Sequence, residues 1–360
     1  MTRQLMEGSE AIAAAGIAAG CRFFAGYPMT PFTEVLEHFA KKLPALGGTC
    51  INAESELEAV GMAWGAAATG ARAATGSCGQ GLALMQESFS ELVRAELPLV
   101  ILNMARGQGD YFQTTRGGGH GDYRILSLAP LDLREAVELT QLAFHLADKW
   151  RNPVILYGDY LIAHTYESVD VAPLDFGALP PKDWASTGEL RGPRNSRIVT
   201  SLGMVRGGEA MGNVEEFWKL LSKKHQRIAA EEQRLEVGFC EGAELVVVAF
   251  GTAARFVRYA VQQLREKGLP VGFARPVTLW PFPYEGVRRA VAGARKVAVF
   301  ELNAGQMLDD VRVAVMERAE VAFIGGISTD RSQFGVGPLL DVELICHRIE
   351  CALRGEEILP

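Results

Sequence analysis

The chain has 360 residues, of which 48% are hydrophobic and 22% charged, and its formal net charge is −7 at pH 7. This length is enough for a large apolar core and predicts two or three domains. The acidic balance argues against binding to nucleic acid or to an anionic membrane, because both partners require a basic surface. No run approaches about 18 consecutive apolar residues, and the N-terminus lacks the pattern of a signal peptide, so we expect a cytoplasmic protein without a membrane-spanning helix.

The first part of the chain alternates helical periodicity with short apolar runs. Helices are predicted over "EAIAAAGIAAG", "FTEVLEHFAKKLPAL", "ELEAVGMAWGAAATG", "GLALMQESFSELVRAE" and "LREAVELTQLAFHLADKW". Strands are predicted over "CRFFAGYP", "TCINAES", "ARAATGS", "LPLVILNMAR" and "NPVILYGD". The second helix is expected to be capped by Thr30 or Thr33. Apolar strands alternating with helices predict a parallel sheet covered by helices on both faces.

The chain changes character near residue 163. Residues 163 to about 240 are rich in Pro, Gly and polar groups, which predicts a connecting segment that ends in one long charged helix, "NVEEFWKLLSKKHQRIAAEEQRLE". From "ELVVVAFGTAARF" onward the strand–helix alternation returns, with further strands at "KVAVFELNAGQM" and "VAFIGGI". We therefore predict a larger domain at residues 1–165, a linker and helix at 166–240, and a smaller α/β domain at 241–360.

The cysteines are scattered along the whole chain. No two are separated by two residues, and none pairs with a histidine at a spacing typical of zinc sites. We expect free, mostly buried thiols, and neither a structural metal nor an iron–sulfur cluster held wholly by this chain. The six are Cys21, Cys50, Cys78, Cys240, Cys346 and Cys351.

Two glycine-rich turns follow predicted strands, "GSCGQG" at residues 76–81 and "GGGHGD" at 117–122. Neither fits the dinucleotide fingerprint, and the sequence contains no phosphate-binding P-loop. Tight strand-to-helix turns explain both, although α/β proteins also bind ligands at this end of their strands. His120 and Asp122 in the second turn are either an acid–base pair or ordinary turn residues, and both interpretations remain open.

The segment "GYPMTP" places Met29 and Thr30 between Pro28 and Pro31, directly after a predicted strand. Proline fixes φ and lacks an N–H group, so this segment can be the middle of neither a strand nor a helix. Such a stiffened turn is suited to holding one side chain still.

Three acidic residues, Glu54, Glu56 and Glu58, mark the start of a helix that is otherwise almost wholly Ala, Val, Gly and Met. Acidic residues are ordinary at a helix N-terminus, where they interact with the helix dipole. The alternation in "ESELEA" also places one or two of them on the buried side, where loss of hydration favours the protonated form. A carboxyl group of that kind can exchange a proton with a bound heterocycle.

Arg106 ends the strongly apolar strand "LPLVILNMAR". At the carboxyl end of a buried strand, an arginine can bind a carboxylate through two hydrogen bonds. The alternative is a surface cation at a strand end.

Together these stretches resemble the α subunit of the 2-oxoacid:ferredoxin oxidoreductases, most closely the branched-chain (3-methyl-2-oxobutanoate) and 2-oxoglutarate types. The resemblance covers nearly the whole chain. It implies a thiamine-diphosphate-binding (pyrimidine-domain) parallel sheet joined to a smaller, transketolase C-terminal-like α/β domain. The stretches that carry it include "GSEAIAAAGIAAGCRFFAGYPMTPFTEV", "AESELEAVGMAWGAAATGARAATGSCGQGLALMQE", "AELPLVILNMARG", "DYFQTTRGGGHGDYRI" and "FELNAGQM".

The resemblance also implies roles for individual residues. Glu56 matches the acid that protonates N1′ of the cofactor's aminopyrimidine, and Thr30 matches the hydroxyl that contacts the substrate near the reacting carbon. Arg106 matches the guanidinium that holds the 2-oxoacid carboxylate. The resemblance extends the cofactor-binding set to Tyr27, Pro28 and Met29, beside Glu56, and implies no metal ligand in this chain.

By the same resemblance, the chain is active only with a partner. A β subunit would supply the diphosphate-binding domain of the thiamine diphosphate site, Mg2+ and a [4Fe-4S] cluster. Further γ and δ subunits, ferredoxin or another electron acceptor, and coenzyme A as co-substrate complete the expected system. The expected reaction is oxidative decarboxylation of a 2-oxoacid to acyl-CoA and CO2.

Two features depart from the family pattern. After Arg106 only "GQG" precedes "DYFQ", where relatives carry a longer loop, and "GSCGQG" replaces the more usual S-G-P-G. The short loop leaves the substrate side chain open: a branched-chain acid is favoured, with 2-oxoglutarate or an aryl glyoxylate as alternatives. Two other classes also remain, a non-catalytic assembly subunit and a transketolase-type half without redox chemistry.

Overall fold

The computed structural model describes residues 3–186, 197–200, 203–206, 209–211, 214–316, 318–328 and 337–358. The first eight strands are β1 Gln4–Glu7, β2 Phe23–Gly26, β3 Thr49–Asn52, β4 Ala73–Ser77, β5 Val100–Ala105, β6 Leu126–Leu128, β7 Val154–Asp159 and β8 Tyr166–Val169. The first eight helices are α1 Gly8–Ala18, α2 Thr33–Lys42, α3 Glu56–Ala68, α4 Gly79–Leu84, α5 Gln86–Arg94, α6 Tyr111–Thr115, α7 Leu133–Trp150 and α8 Tyr160–His164.

The remaining elements follow in the same order. The strands are β9 Arg197–Thr200, β10 Gly203–Arg206, β11 Glu209–Met211, β12 Leu235–Gly238, β13 Leu245–Ala249, β14 Val271–Pro276, β15 Thr278–Trp280, β16 Lys296–Phe300 and β17 Glu320–Phe323. The helices are α9 Val214–Glu231, α10 Gly251–Glu266, α11 Tyr284–Ala290, α12 Gln306–Val315 and α13 Val342–Arg354. None of these helices, within the described residues, is long and apolar enough to cross a membrane.

A seven-stranded sheet with the order β15-β6-β7-β5-β4-β2-β3 forms the centre of the first, larger α/β unit. Its strands are parallel apart from the edge strand β15, which is antiparallel to β6. Alternate residues of the central strand face opposite sides: Val100 and Leu102 pack with α1, α2 and α7, whereas Ile101 packs with α3 and α5. The predicted parallel sheet with helices on both faces is confirmed.

A five-stranded sheet, β12-β14-β13-β16-β17, forms the second, smaller α/β unit. Its strands are parallel except β12, and helices cover both faces, α11 and α12 on one and α10 and α13 on the other. One strand from the second half of the chain, β15, joins the first sheet as its edge strand. The domain boundaries 1–165, 166–240 and 241–360 stay predictions.

The predicted cap of α2 is wrong. The helix begins at Thr33 with Phe32 in the capping position, and neither threonine side chain caps it. The backbone does this instead: Met29 O accepts from the N–H groups of Phe32 (2.6 Å) and Thr33 (3.1 Å). Residues 27–31, which we refer to as the proline-rich turn, therefore start the helix through a backbone carbonyl and without a side-chain cap.

Two further predictions are corrected. The single helix predicted over residues 81–96 is two helices, α4 and α5, which meet at the fully buried Met85, because packing against the core overrides local propensity. The segment predicted as connecting contains strands: β8 pairs with β1, β9 to β11 form an antiparallel sheet, and β12 joins the five-stranded sheet. Within that segment, residues 187–196, 201–202, 207–208 and 212–213 lie outside the described residues.

Candidate active site

The proline-rich turn projects from the carboxyl end of β2. Tyr27, Pro28 and Thr30 are exposed and Met29 is half-buried, while Phe32 at the end of the turn is fully buried. The Phe32 ring packs so closely against Gly76 of β4 that a Cβ there would lie 2.5 Å from a ring carbon. The turn therefore presents an exposed tip on a base that is anchored in the core.

Glu56 is the buried member of the acidic cluster. It is the first residue of α3, whose N-cap is Ser55, and it is 2% exposed, whereas Glu54 and Glu58 are exposed. The Ser77 hydroxyl, at the end of β4, donates to Glu56 Oε1 over 2.9 Å. The alternation in the sequence thus predicts the burial of one glutamate correctly.

The space beside Glu56 is shaped by glycine. A Cβ at Gly81 would lie 2.1 Å from both Glu56 Oε1 and Ser77 Oγ, so no larger residue fits there without displacing the carboxylate. Thr75, two residues before Ser77 on the same face of β4, is fully buried, and its hydroxyl has no hydrogen-bond partner among the described residues. The missing side chain at Gly81 thus accommodates the Glu56 carboxyl group and the Ser77 hydroxyl, and Thr75 adds a buried hydroxyl that could bond to a polar ligand.

Arg106 directly follows β5 and bonds to the proline-rich turn. Its Nε donates to Thr30 O over 3.0 Å, and its Nη1 donates to Gln80 Oε1 over 3.4 Å. The Cys78 thiol also donates to Thr30 O, over 3.3 Å, and burial raises the pKa of Cys78 to about 11, so the thiol keeps its proton at neutral pH. Two donors therefore fix the carbonyl of the residue whose hydroxyl was predicted to meet the substrate.

The two parts of the site meet at Ser77. Its hydroxyl lies 4.0 Å from the sulfur of Met29 and 2.9 Å from Glu56. The carboxyl ends of β2, β4 and β5 and the start of α3 thus lie at one edge of the sheet, with the residues to which the resemblance gave roles. These are Tyr27, Pro28, Met29, Thr30, Glu56 and Arg106.

The second glycine-rich turn is built as a turn. The backbone N–H groups of Gly118 and Gly119 donate to the Tyr123 hydroxyl over 3.0 and 2.9 Å, and that of His120 donates to Ser90 Oγ over 3.2 Å. His120 and Asp122 are both exposed. This geometry favours the turn interpretation of the two residues over an acid–base pair.

The cysteines are free, and four of the six are buried. Among the described residues, no group of three or more His, Cys, Asp or Glu side chains is placed to hold a metal ion. Cys78 is the one cysteine that bonds to the proline-rich turn.

Sequence reasoning missed Ser77, Cys78 and Gln80. Their signal was present, because polar residues end the strand "ARAATGS" at the edge where parallel sheets bind ligands. The tight-turn interpretation of "GSCGQG" accounted for its glycines and left these side chains without a role.

Each of the two α/β units matches a known protein family. Residues 14–187 match the family described as pyruvate flavodoxin/ferredoxin oxidoreductase, thiamine diphosphate-binding, and residues 243–334 match pyruvate:ferredoxin oxidoreductase core domain II. The first match contains β2 to β7 of the seven-stranded sheet with the candidate site, and the second contains most of the five-stranded sheet.

Similar proteins cover most of the chain. The ketoisovalerate oxidoreductase subunit VorB of Methanothermobacter thermautotrophicus is 38% identical over 324 residues, which is 87% of this chain and 90% of the relative. The 2-oxoglutarate synthase subunit KorA of the same organism is 34% identical over 351 residues, 89% of this chain and 93% of the relative.

Two solved structures share the fold. The 2-oxoglutarate:ferredoxin oxidoreductase from Magnetococcus marinus, with 2-oxoglutarate, coenzyme A and succinyl-CoA bound, matches 98% of this chain with a TM-score of 0.83 and 27% identity. This chain spans 65% of the length of that chain. A split-gene transketolase, an inactive β4 tetramer, shares the fold alone, with a TM-score of 0.59 and 14% identity. The matched families and the extent of these similarities show that the chain belongs to the 2-oxoacid:ferredoxin oxidoreductase subunits.

Proposed function

We propose that this chain is the α subunit of a thiamine-diphosphate-dependent, CoA-acylating 2-oxoacid:ferredoxin oxidoreductase. With its partners it oxidatively decarboxylates a 2-oxoacid to acyl-CoA and CO2. The observation that carries the proposal is the buried Glu56, bonded to Ser77 and placed beside the turn that Arg106 holds. A carboxyl group out of water next to an exposed, rigid turn is what proton transfer to a bound heterocycle requires.

Glu56 is assigned to the aminopyrimidine. It would hold a proton at N1′, with its Oε1 kept in place by the Ser77 hydroxyl, and the absent side chain at Gly81 leaves the carboxylate undisturbed. Tyr27, Pro28 and Met29 would contact the cofactor from the proline-rich turn. When bound, thiamine diphosphate supplies a carbon nucleophile for the keto group and a sink for the electron pair that decarboxylation releases.

Thr30 and Arg106 are assigned to the substrate. The guanidinium group of Arg106 would bind the 2-oxoacid carboxylate, since arginine matches a carboxylate with two parallel hydrogen bonds. The exposed Thr30 would place its hydroxyl near the keto carbon. Because Arg106 Nε is already bonded to Thr30 O, carboxylate binding and hydroxyl placement are mechanically linked.

The β subunit is assigned to the surface around the site. Apolar side chains with exposures of 36–58% surround the turn and α3, and a Cβ at Gly61 or Gly65 of α3 would meet no atom within 4 Å. A surface of this kind is typical of a subunit interface. We assign to it the partner's diphosphate-binding domain with Mg2+ and a [4Fe-4S] cluster. The exposed residues are Tyr27, Leu57, Met62, Leu84 and Phe112.

For the substrate we favour a branched-chain acid, 3-methyl-2-oxobutanoate. The named relative VorB supports this preference at 38% identity, against 34% for KorA of the same organism. The Magnetococcus structure, which has 2-oxoglutarate bound, supports 2-oxoglutarate as the second candidate. Further γ and δ subunits, ferredoxin as electron acceptor and a cytoplasmic location complete the proposal.

The test is to co-express the chain with the subunits encoded beside it and to follow dye reduction with thiamine diphosphate, coenzyme A and a panel of 2-oxoacids. The panel contains branched-chain acids, 2-oxoglutarate, pyruvate and an aryl glyoxylate. We expect reduction that depends on both coenzyme A and thiamine diphosphate, with the highest kcat/KM for a branched-chain acid. A complex that contains cofactor and iron but reduces no dye with any acid contradicts the proposal.

A further inference from the structure

Arg106 begins a short loop, residues 106–110, which we refer to as the Arg106 loop. It contains Gly107 and Gly109, the most flexible residue type, so nothing in its own sequence holds Arg106 in one position. In the structure, contacts from two sides hold the loop. The larger set comes from the second, smaller α/β unit, which we refer to as the second domain.

Gln108 is the centre of these contacts. It is 1% exposed, and its side-chain amide donates to Phe250 O over 2.8 Å, while its side-chain carbonyl accepts from Leu302 N over 2.8 Å. Its backbone is bonded as well, with Gln108 N donating to Leu302 O over 3.4 Å and Asn303 Nδ2 donating to Gln108 O over 2.8 Å. All four hydrogen bonds go to the second domain.

The partner in these contacts is a turn of the second domain, residues 302–306, which we refer to as the clamp turn. Asn303 shapes it, because its Oδ1 accepts from the backbone N–H groups of Gly305 (2.8 Å) and Gln306 (3.0 Å). Gln306 extends the grip along the loop: its Nε2 donates to Gly109 O over 2.9 Å, and its Oε1 accepts from Phe112 N over 2.8 Å.

The helix that follows the Arg106 loop is anchored to the same domain. The Tyr111 hydroxyl donates to Asp310 Oδ2 over 2.7 Å, and Arg116 forms an ion pair with the same oxygen at 2.9 Å. On the other side, Asp110 accepts from Gly79 N over 3.0 Å, next to the strand end that carries Ser77. The loop is thus fixed between the clamp turn and the strand edge that bears the candidate site.

We propose that Gln108, held by hydrogen bonds to Phe250, Leu302 and Asn303, is a positioning residue through which the second domain sets the place of the Arg106 guanidinium and so the affinity for the substrate carboxylate. This inference rests on the proposed function. Arg106 lies two residues before Gln108, so loss of these bonds would let the guanidinium group move, and a displaced binding group can cost about a hundred-fold in rate.

The test uses Gln108→Ala in the assembled complex, in the parent background and in an Arg106→Ala background. In the parent background we expect KM for the 2-oxoacid to rise roughly ten- to a hundred-fold, with little change in kcat, cofactor content or KM for coenzyme A. In the Arg106→Ala background the same substitution should add no further rise, because the two residues act through one contact.

Two further variants separate positioning from loss of structure. Gln306→Ala removes only the outer part of the grip, and we expect a smaller rise in the same KM. Arg255→Ala removes an ion pair between α10 and β8, to Glu167, that does not touch the loop, and it should leave KM unchanged. Hydrogen exchange of peptide 107–112 should accelerate in both glutamine variants and not in Arg255→Ala.

The outcomes are distinct. A rise in KM that is equal in the parent and Arg106→Ala backgrounds, or unchanged exchange of peptide 107–112, overturns the positioning role alone. A parent complex that turns over no 2-oxoacid overturns the proposed function, and the positioning role with it.

Discussion

Two buried glutamates lie near the carboxyl edges of the two sheets and are used differently. Glu301 directly follows β16, is fully buried, and accepts backbone N–H bonds at both oxygens, from Met307 (2.8 Å) and Leu308 (3.0 Å). Glu56 starts α3, is 2% exposed, and accepts from a side-chain hydroxyl, that of Ser77. Both carboxylates are out of water, so burial does not distinguish them.

The partners of the carboxylate distinguish the two. Burial raises the pKa of Glu301, while the two backbone N–H donors oppose that rise and tie the group to the start of α12. Such a carboxylate has a structural role. Glu56 lies instead beside an exposed turn, with a glycine where a side chain would displace it. A buried carboxyl group is thus a candidate for proton transfer when a side-chain hydroxyl holds it and two backbone N–H groups do not.

Among the variants, Glu56→Gln should lose the most activity. The amide cannot exchange a proton with N1′ of the aminopyrimidine, as we propose that the carboxyl group does. The kcat of the assembled complex should therefore fall by about 10²- to 10⁴-fold, the usual contribution of general acid–base catalysis. Steady-state dye reduction measures it, at cofactor content matched to the parent. Glu58→Gln, an exposed position in the same helical turn, is the control and should keep full activity. A purely structural subunit would tolerate both changes.

Arg106→Ala tests the substrate side of the site. Loss of charged hydrogen bonds to a carboxylate should raise KM for the 2-oxoacid by roughly 10- to 100-fold, while KM for coenzyme A stays constant. The measurement is KM for each substrate in the assembled complex. Arg22→Ala, an exposed arginine at the opposite end of β2, is the matched control. An equal effect of both variants would remove the assigned role.

Glu301→Gln tests whether the second buried glutamate has a structural role. An amide keeps one acceptor for the two backbone N–H groups, so the free energy of unfolding should fall by about 1–3 kcal/mol. Urea denaturation of the subunit measures this change, with the exposed Glu320→Gln as control. If Glu301→Gln lowered kcat as much as Glu56→Gln does, the distinction between the two glutamates would be wrong.

His225 on α9 is a buried base, and its burial should make the stability of the fold depend on pH. It is 7% exposed, and burial together with the charges of Lys224 and Arg124 lowers its pKa from 6.5 to about 3. Below pH 6.5 the unfolded chain takes up a proton that the folded chain does not, so stability is lost as the pH falls. Between pH 7 and pH 5 this group should cost about 2 kcal/mol.

Replacing His225 by Gln removes this contribution. The difference in free energy of unfolding between pH 7 and pH 5 should then be smaller in the variant than in the parent. Chemical denaturation at the two pH values measures it. Identical pH dependence in the two proteins would show that the histidine is not buried in its neutral form.

Much of the fold could be predicted from local patterns. Apolar strands such as Val100–Ala105, and helices bounded by glycine, follow from periodicity alone. The roles of the site residues come from the resemblance to the family and stay predictions. The features that could not be predicted depend on contacts between residues that are distant in the sequence. The strand Tyr166–Val169 exists through its pairing with Gln4–Glu7, and the role of Gln108 appears only when residues near 302 pack against it. No local signal encodes such contacts.

We propose that Glu56 controls the reactivity of thiamine diphosphate bound at this edge of the sheet. The most direct measurement is the rate at which the hydrogen on the thiazolium carbon of the bound cofactor exchanges with D2O, in complexes without substrate, coenzyme A or acceptor. We expect fast exchange in the parent and in Glu58→Gln, and exchange slower by at least about 100-fold in Glu56→Gln at equal cofactor content. Exchange as fast in Glu56→Gln as in the parent would contradict it.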